Sequence, residues 1–373
     1  MRAIILAAGA STRTYPLTAT RPKPLLPLLD STIISYTLDL LRDMGVIDEV
    51  IIVVNYLKDQ IMDALGESHR GMKLTYVDQE EPLGTGHAVL KTEHLFDTDS
   101  SVLIMNGDDL FSREDVAKVL EKYPRIAVKD VTHPERYGIF EMKHTDGKRI
   151  ATGLEEKPRY PKSSLANVGI YHLGMDIFNY LHKIKQSPRG ELELTDAVKR
   201  YIDWNDIELI SMKEFWVPIG FPWDLLTANE FLMRRNGPVK PIIDESATIK
   251  KGSEVRGTSI IGRDVKIGQG CLIENSIIMQ GAQIASNSEV RDSIIGAYAY
   301  VDKEFITRST STTGIFSMVK GKKIKVERNA LGCIIGDQSR LGKKITTLPG
   351  VKIWPACDVS NIREIDEDIH PEE

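Results

Sequence analysis

The chain has 373 residues, 42% hydrophobic and 27% charged, the composition of a folded protein long enough for two cores. With 48 Lys and Arg against 53 Asp and Glu, the formal charge is −5, which argues against broad electrostatic binding to nucleic acid or anionic membrane. The 3 cysteines form no CxxC pair, which excludes a disulfide framework or a cysteine zinc site, and no apolar run reaches the ~20 residues of a membrane helix.

The first apolar run, Ile4-Ile5-Leu6-Ala7-Ala8, is too short for a secretory leader and runs straight into a turn. It reads as a buried strand over 3–6, and a cytoplasmic location is expected. Further strands are predicted at 50–54, 74–77 and 102–105, with helices at 33–44 and 59–65. Gly45 stands where a helix C-terminal cap belongs. Strands alternating with helices imply an α/β fold with a mostly parallel sheet. In such folds ligands bind outside the carboxyl ends of the strands.

The loop after the first strand reads Leu6-Ala7-Ala8-Gly9-Ala10-Ser11-Thr12-Arg13, then Tyr15-Pro16-Leu17-Thr18 and Arg21-Pro22-Lys23-Pro24-Leu25-Leu26-Pro27. Small residues after a strand let backbone N–H groups approach a phosphate closely, and Arg13 and Lys23 add a planar cation and a point charge. Neither a GxxxxGK loop nor a GxGxxG fingerprint occurs, so this is not a Walker site or a dinucleotide fold.

The segment Asn236-Gly237-Pro238-Val239-Lys240-Pro241 interrupts the pattern, which suggests domains at 1–235 and 243–373 with a linker over 236–242. Beyond the break, Ile243, Ile249, Val255, Ile261, Ile267 and Ile273 recur every six residues. After a slip of one the count resumes at Ile278, Ile284 and Val290. Ala247, Ser253, Ser259 and Cys271 stand two places before four of these aliphatics. One inward aliphatic per six residues is the signature of a parallel β-helix. A hairpin around 319–323 is expected to interrupt it near 303–330, and the acidic tail from Glu364 to Glu373 is expected to fray.

With these strings in view, the chain resembles the sugar-1-phosphate nucleotidylyltransferases, whose signature reads LAAGxGTR…PKP. The likeness continues through Gln79 to Ala88, Asn106-Gly107-Asp108, Tyr137-Gly138, Glu155-Glu156-Lys157-Pro158 and Asn167 to Tyr171. It ends with Glu191 to Asp196 and Trp216 to Asp224. It is nearest to the bifunctional N-acetylglucosamine-1-phosphate uridylyltransferase/glucosamine-1-phosphate acetyltransferase branch, which carries a left-handed β-helix of hexapeptide repeats.

The resemblance implies a Rossmann-like catalytic domain that joins a sugar 1-phosphate to a nucleoside triphosphate, UTP favoured, with Mg²⁺ as cofactor. By resemblance Arg13 holds the departing pyrophosphate, Lys23 the α-phosphate and Asp108 the Mg²⁺. Leu6, Ala7, Ala8, Gly9, Gln79, Gly84 and Thr85 line the nucleotide, and Gly138, Glu156, Lys157 and Asn167 the sugar. His87 is read as a packing residue, and Thr195 as either a site residue beside Glu193 or a helix N-cap. A homotrimer or larger homo-oligomer is the family expectation, with no nucleic acid polymer or membrane as partner.

Two departures stand out. The family's second metal ligand, two positions after the match to Trp216, is here Pro218; Asp224 is either its replacement or a first-turn helix residue. The related acetyltransferases use a histidine base in the repeats, yet of the 8 histidines none lies between His182 and His370. The corresponding coil reads Ser286-Asn287-Ser288-Glu289. Acetyl transfer is therefore not expected, and the repeats read as an oligomerisation and stabilising element. A second reading is a catalytically weakened homologue that binds nucleotide-sugar as a regulatory subunit.

Overall fold

The computed structural model describes residues 1–96 and 100–371. Glu372 and Glu373, the end of the acidic tail, lie outside the described residues. The backbone forms two compact units, Met1–Gly9 with Ile33–Pro218, and Ala10–Thr32 with Ile219–Glu373.

The first unit is built on a sheet of ten strands among the described residues. In chain order these are β1 (Arg2–Leu6), β2 (Glu49–Val54), β3 (Ser68–His69), β4 (Met72–Asp78) and β5 (Ser101–Asn106). There follow β6 (Arg125–Asp130), β7 (Gly138–Thr145), β8 (Lys148–Glu156), β9 (Leu165–Gly174) and β10 (Glu208–Ser211). They lie in the order β7-β8-β10-β6-β9-β5-β1-β2-β4-β3. The run β5-β1-β2-β4 is parallel throughout. Its central strands are apolar on both faces: β2 reads EVIIVV and is buried from Val50 onward.

Helices α1 (Ile33–Met44) and α2 (Lys58–Leu65) connect these strands at the expected positions. The far half of the sheet was less visible in the sequence. There β9 runs antiparallel to both β5 and β6, and β7 and β8 form an antiparallel hairpin. α3 (Thr85–Leu90), α4 (Arg113–Leu120), α5 (Ile177–Leu181) and α6 (Leu194–Ile202) complete this unit. A core of Ile4, Ile51, Val53, Ile104, Phe140, Tyr171 and Val198 joins sheet and helices.

In the second unit three parallel six-stranded sheets form a left-handed β-helix. Its coils superpose Ile243 on Ile261, Ile278, Ile295, Ile335 and Ile353, so the slip of one after Ile273 marks a coil one residue shorter than the first. From Ile261 onward the stacked isoleucines make an apolar interior with Val265, Ile267, Ile284, Phe305 and Ile345, while Ile243 in the first coil is exposed. At about 25 cal/mol per Å² of apolar surface removed from water, each fully buried isoleucine contributes roughly 2–3 kcal/mol.

The small residues answer a backbone need at the corners. Ser259 Oγ bonds the Arg256 carbonyl at 2.7 Å, while Ser276 N donates to Ser259 Oγ and Ser293 N to Ser276 Oγ. The fourth coil continues through Ile306–Thr307 before a hairpin of Phe316–Val319 and Lys322–Lys325 interrupts it, and Lys352 donates to the Met318 carbonyl of that hairpin. The tail does not fray over its described length. Glu364–Ile365 is a strand of the last coil, Lys352 N donates to Asp368 Oδ1, and Ile369 bridges Ile353. Helix α7 (Asp224–Arg235) belongs to this same unit. No helix among the described residues is long and apolar enough to cross a membrane.

Candidate active-site residues

The loop after β1 begins in the first unit. Ala7 N donates to the Val53 carbonyl at 2.9 Å, and Tyr56 N to that of Ala8 at 3.4 Å, so the strand end is fixed against β2. A Cβ on Gly9 would meet nothing within 4 Å among the described residues. Protein packing does not demand glycine there, whereas a ligand approaching the backbone would.

From Ala10 the chain folds with the second unit. Thr12–Thr14 forms a 3₁₀ turn, and Thr18 Oγ1 donates to the Ser11 carbonyl at 2.9 Å. Arg13 is exposed, its guanidinium 6.0 Å from the Phe221 ring centroid. Lys23 opens a second 3₁₀ turn between two prolines and is only 4% exposed. A surface loop lysine would keep its ammonium in water; a buried one requires anionic company.

Lys23 exerts its charge on Asp224, whose carboxyl burial pushes upward while the lysine opposes the shift. Asp224 Oδ2 accepts Gly220 N at 2.9 Å and Phe221 N at 2.8 Å. Of its two readings, the geometry favours the first-turn residue, closing the backbone ahead of α7.

Asp108 follows β5 in the first unit and is half-buried. Gly107 N donates to the Leu6 carbonyl at 3.0 Å, and a Cβ there would sit 2.8 Å from both Leu6 O and Ile5 Cγ2. Only glycine lets Asp108 leave the sheet this close to β1. Asp109, next in the chain, is buried and accepts Trp216 Nε1 at 3.1 Å. It pairs with Pro218 across a two-stranded ladder. A proline there offers no ligand atom from its side chain. Among the described residues no group of three His, Cys, Asp or Glu forms a metal cluster. One carboxylate at a strand end still fits Mg²⁺, which commonly takes one or two carboxylates and completes its shell with water and substrate phosphates.

The loop over 79–88 is held from within. Gln79, 4% exposed, donates from Nε2 to the Gly84 carbonyl at 2.9 Å and lies 3.4 Å from His87 Nδ1. Gly84 has φ of +103°, and a Cβ on it would approach Leu192 O to 2.7 Å. Thr85 Oγ1 accepts Leu194 N at 3.0 Å, so this hydroxyl serves the start of α6.

On the sugar side, distant segments converge. Gly138 is the register partner of Glu156, and a Cβ on Gly138 would lie 3.0 Å from Glu156 Oε2 and 3.5 Å from Asn167 Cβ. Lys157 stands 3.4 Å from Glu156 and turns the chain at φ of +48°. The Asn167 amide is oriented: Nδ2 donates to the Tyr171 hydroxyl at 2.6 Å and Oδ1 accepts Gly169 N at 3.1 Å.

Sequence reasoning missed Arg189 here. Its Nη2 lies 2.7 Å from Glu193 and 3.5 Å from Glu156, linking the two carboxylates. Burial pushes the Glu193 carboxyl above its ordinary range. Thr195 is not the N-cap, a position Glu193 takes; its buried hydroxyl has no hydrogen-bond partner among the described residues. The only sequence cue for Arg189 was its place just before Glu191-Leu192-Glu193.

Comparison with known proteins then supplies the context. The nucleotidyl transferase family matches residues 2–235, and a GMPPB C-terminal domain matches 237–331. The chain is 33% identical to "Bifunctional protein GlmU" of Methanococcus maripaludis, over 100% of this chain and 96% of that protein. It is 34% identical to the "Bifunctional sugar-1-phosphate nucleotidylyltransferase/acetyltransferase" of Sulfurisphaera tokodaii, over 95% of this chain and 94% of that one. Among solved structures, a UDP-glucose pyrophosphorylase complexed with UDP-glucose superposes with a TM-score of 0.57 at 25% identity. The match covers 63% of this chain and 98% of that one.

Proposed function

The chain belongs to the nucleotidyl transferase family, in its GlmU-like sugar-1-phosphate branch, and from that premise we propose that it joins a sugar 1-phosphate to UTP. A phosphate oxygen of the sugar 1-phosphate attacks the α-phosphorus, the bond from that phosphorus to the bridging oxygen breaks, and pyrophosphate leaves. The nucleophile is already ionised near neutral pH, so no general base is needed. The protein's task is to position two polyanions and offset their charge.

In this reading Lys23 neutralises the α-phosphate and Arg13 the departing pyrophosphate. The backbone of Leu6, Ala7, Ala8 and Gly9 approaches the nucleotide, while Gln79, Gly84 and Thr85 shape the loop that meets its base. Asp108 would hold Mg²⁺, which when bound supplies charge neutralisation on the phosphates. Glu156 accepts from sugar hydroxyls, Asn167 presents its oriented amide, and Gly138 and Lys157 shape the same wall.

The observation that carries the proposal is the convergence of Gly138, Glu156 and Asn167, with Arg189 bridging Glu156 to Glu193. Such a convergence of polar groups suits a hydroxyl-rich ligand. Glucose 1-phosphate and N-acetylglucosamine 1-phosphate are the candidate sugars. Residues 1–235 are the proposed catalytic segment and 236–242 the linker. The β-helix is proposed to stabilise a homotrimer or larger homo-oligomer.

Acetyl transfer is not part of the proposal. The coil at 286–289 carries no histidine, and His370 instead packs on Trp354 of the last coil, with ring centroids 4.0 Å apart. Incubation with acetyl-CoA and glucosamine 1-phosphate is expected to release no thiol above background; steady release would refute this part. A second reading, a nucleotide-sugar-binding regulatory homologue, draws on Pro218 and on the engagement of Asp224 by backbone. Pyrophosphate release with UTP separates the two readings.

A further inference from the structure

The strip 10–32, which carries Arg13 and Lys23, folds as one compact unit with α7 and the β-helix. Two sets of contacts fasten it. Near its middle, Thr20 Oγ1 donates to Asp337 Oδ2 at 2.9 Å, and Arg21 Nη2 stands 3.4 Å from the same oxygen. Asp337 sits at a β-helix corner, and its other oxygen accepts Ala297 N of the neighbouring coil at 2.7 Å. The carboxylate is thus divided, one oxygen for the coil and one for the strip.

At the far end, Asn229 of α7 accepts Leu29 N at 2.6 Å and donates to the Pro27 carbonyl at 3.3 Å. That helix is in turn held by Arg328, next to the β-helix hairpin, which donates to Thr227 at 2.8 Å and approaches Glu230 at 3.4 Å. Lys23 lies between these two anchors, two residues after Arg21 and four before Pro27.

We infer that the β-helix positions the triphosphate-binding strip, with Asp337 as the positioning residue that fixes where Lys23 stands. The inference rests on the reading of Lys23 and Arg13 as triphosphate ligands. A repeat domain otherwise serving stability would then act directly on nucleotide affinity. Small displacements of a charge from its phosphate are costly in rate and affinity, so even a modest loosening is measurable.

Asp337→Asn is the clean probe. The amide oxygen can keep the Ala297 N–H, while the NH₂ group can neither accept from Thr20 nor pair with Arg21. In the full-length enzyme the variant should raise the KM for UTP, or for dTTP if that is the nucleotide used, by about 5–10-fold. The KM for the sugar 1-phosphate should stay within about 2-fold, and Tm within roughly 3 °C. Calorimetric Kd for the same triphosphates should weaken in parallel. Arg21→Gln should produce a smaller rise, and the double variant less than the product of the two, because both remove one interaction.

An unchanged triphosphate KM in a folded Asp337→Asn enzyme overturns the inference. So does a fall in kcat and Tm with both KM values unmoved. If Asp337→Asn does not fold, Arg21→Gln decides on the same readouts. Lys23→Ala, assayed alongside, separates the layers. Loss of turnover there with no effect at Asp337 sinks the tether alone, whereas full turnover and unaltered UTP affinity sink the underlying reading and the inference with it.

Discussion

The β-helix and the sugar-side cluster hold their side chains by opposite means. In the β-helix Ile261, Ile278, Ile295, Ile335 and Ile353 do one job at successive heights, and each rung supports the next. In the cluster Gly138, Glu156, Asn167, Arg189 and Glu193 each do something different, and their order comes from hydrogen bonds and ion pairs. Redundant apolar stacking provides stability that tolerates local loss of fit. A polar arrangement gives selectivity and tolerates little.

Substitutions should separate the two regimes. The largest effect is expected at Asp108, outside both: Asp108→Ala should lower Mg²⁺-dependent turnover by about 10³-fold or more, with Tm nearly unchanged, as followed by pyrophosphate release. Next comes Ile278→Ala in the β-helix, which leaves a cavity among fully buried neighbours and should cost about 3 kcal/mol in denaturant unfolding. Its KM for the sugar 1-phosphate should hold. Glu156→Gln should do the reverse, raising that KM about 10-fold, or about 1.4 kcal/mol, with unfolding unchanged.

The smallest effect concerns pH. Burial raises the Glu193 carboxyl above its ordinary value of 4.5, so the folded state favours the protonated form. Its contribution to stability is therefore present below pH 4.5 and lost as pH rises through the higher folded value. Glu193→Gln should remove that part of the slope in unfolding free energy between acid and neutral pH, while a β-helix substitution should leave the slope intact. An unaltered slope would mean that Arg189 offsets the desolvation completely.

The same contrast explains what could be read from the sequence. The β-helix was legible because six-residue spacing maps onto one coil face, and even the slip after Ile273 corresponds to a real shortening. Strand β1, the helix Ile33–Met44 and the central parallel strands were legible because each is apolar at its own period. The antiparallel strands over 138–174 were not, since the pairing of β9 with β5 and β6 depends on long-range register. Arg189 was invisible for a related reason, as its two carboxylate partners include one 33 residues earlier in the chain. Lys23 was identifiable as a charge in a motif, but not as a buried one, because its surroundings come from the fold of the strip with α7 and the β-helix.

The central claim, that this chain makes a nucleotide-sugar, is tested most directly by pyrophosphate release across UTP, dTTP and GTP, each paired with glucose 1-phosphate and N-acetylglucosamine 1-phosphate. Metal-dependent release of one pyrophosphate per nucleotide-sugar formed, greatest with UTP, is the predicted result. Tight binding of UDP-sugar with no pyrophosphate from any pair would contradict it and establish the regulatory reading instead.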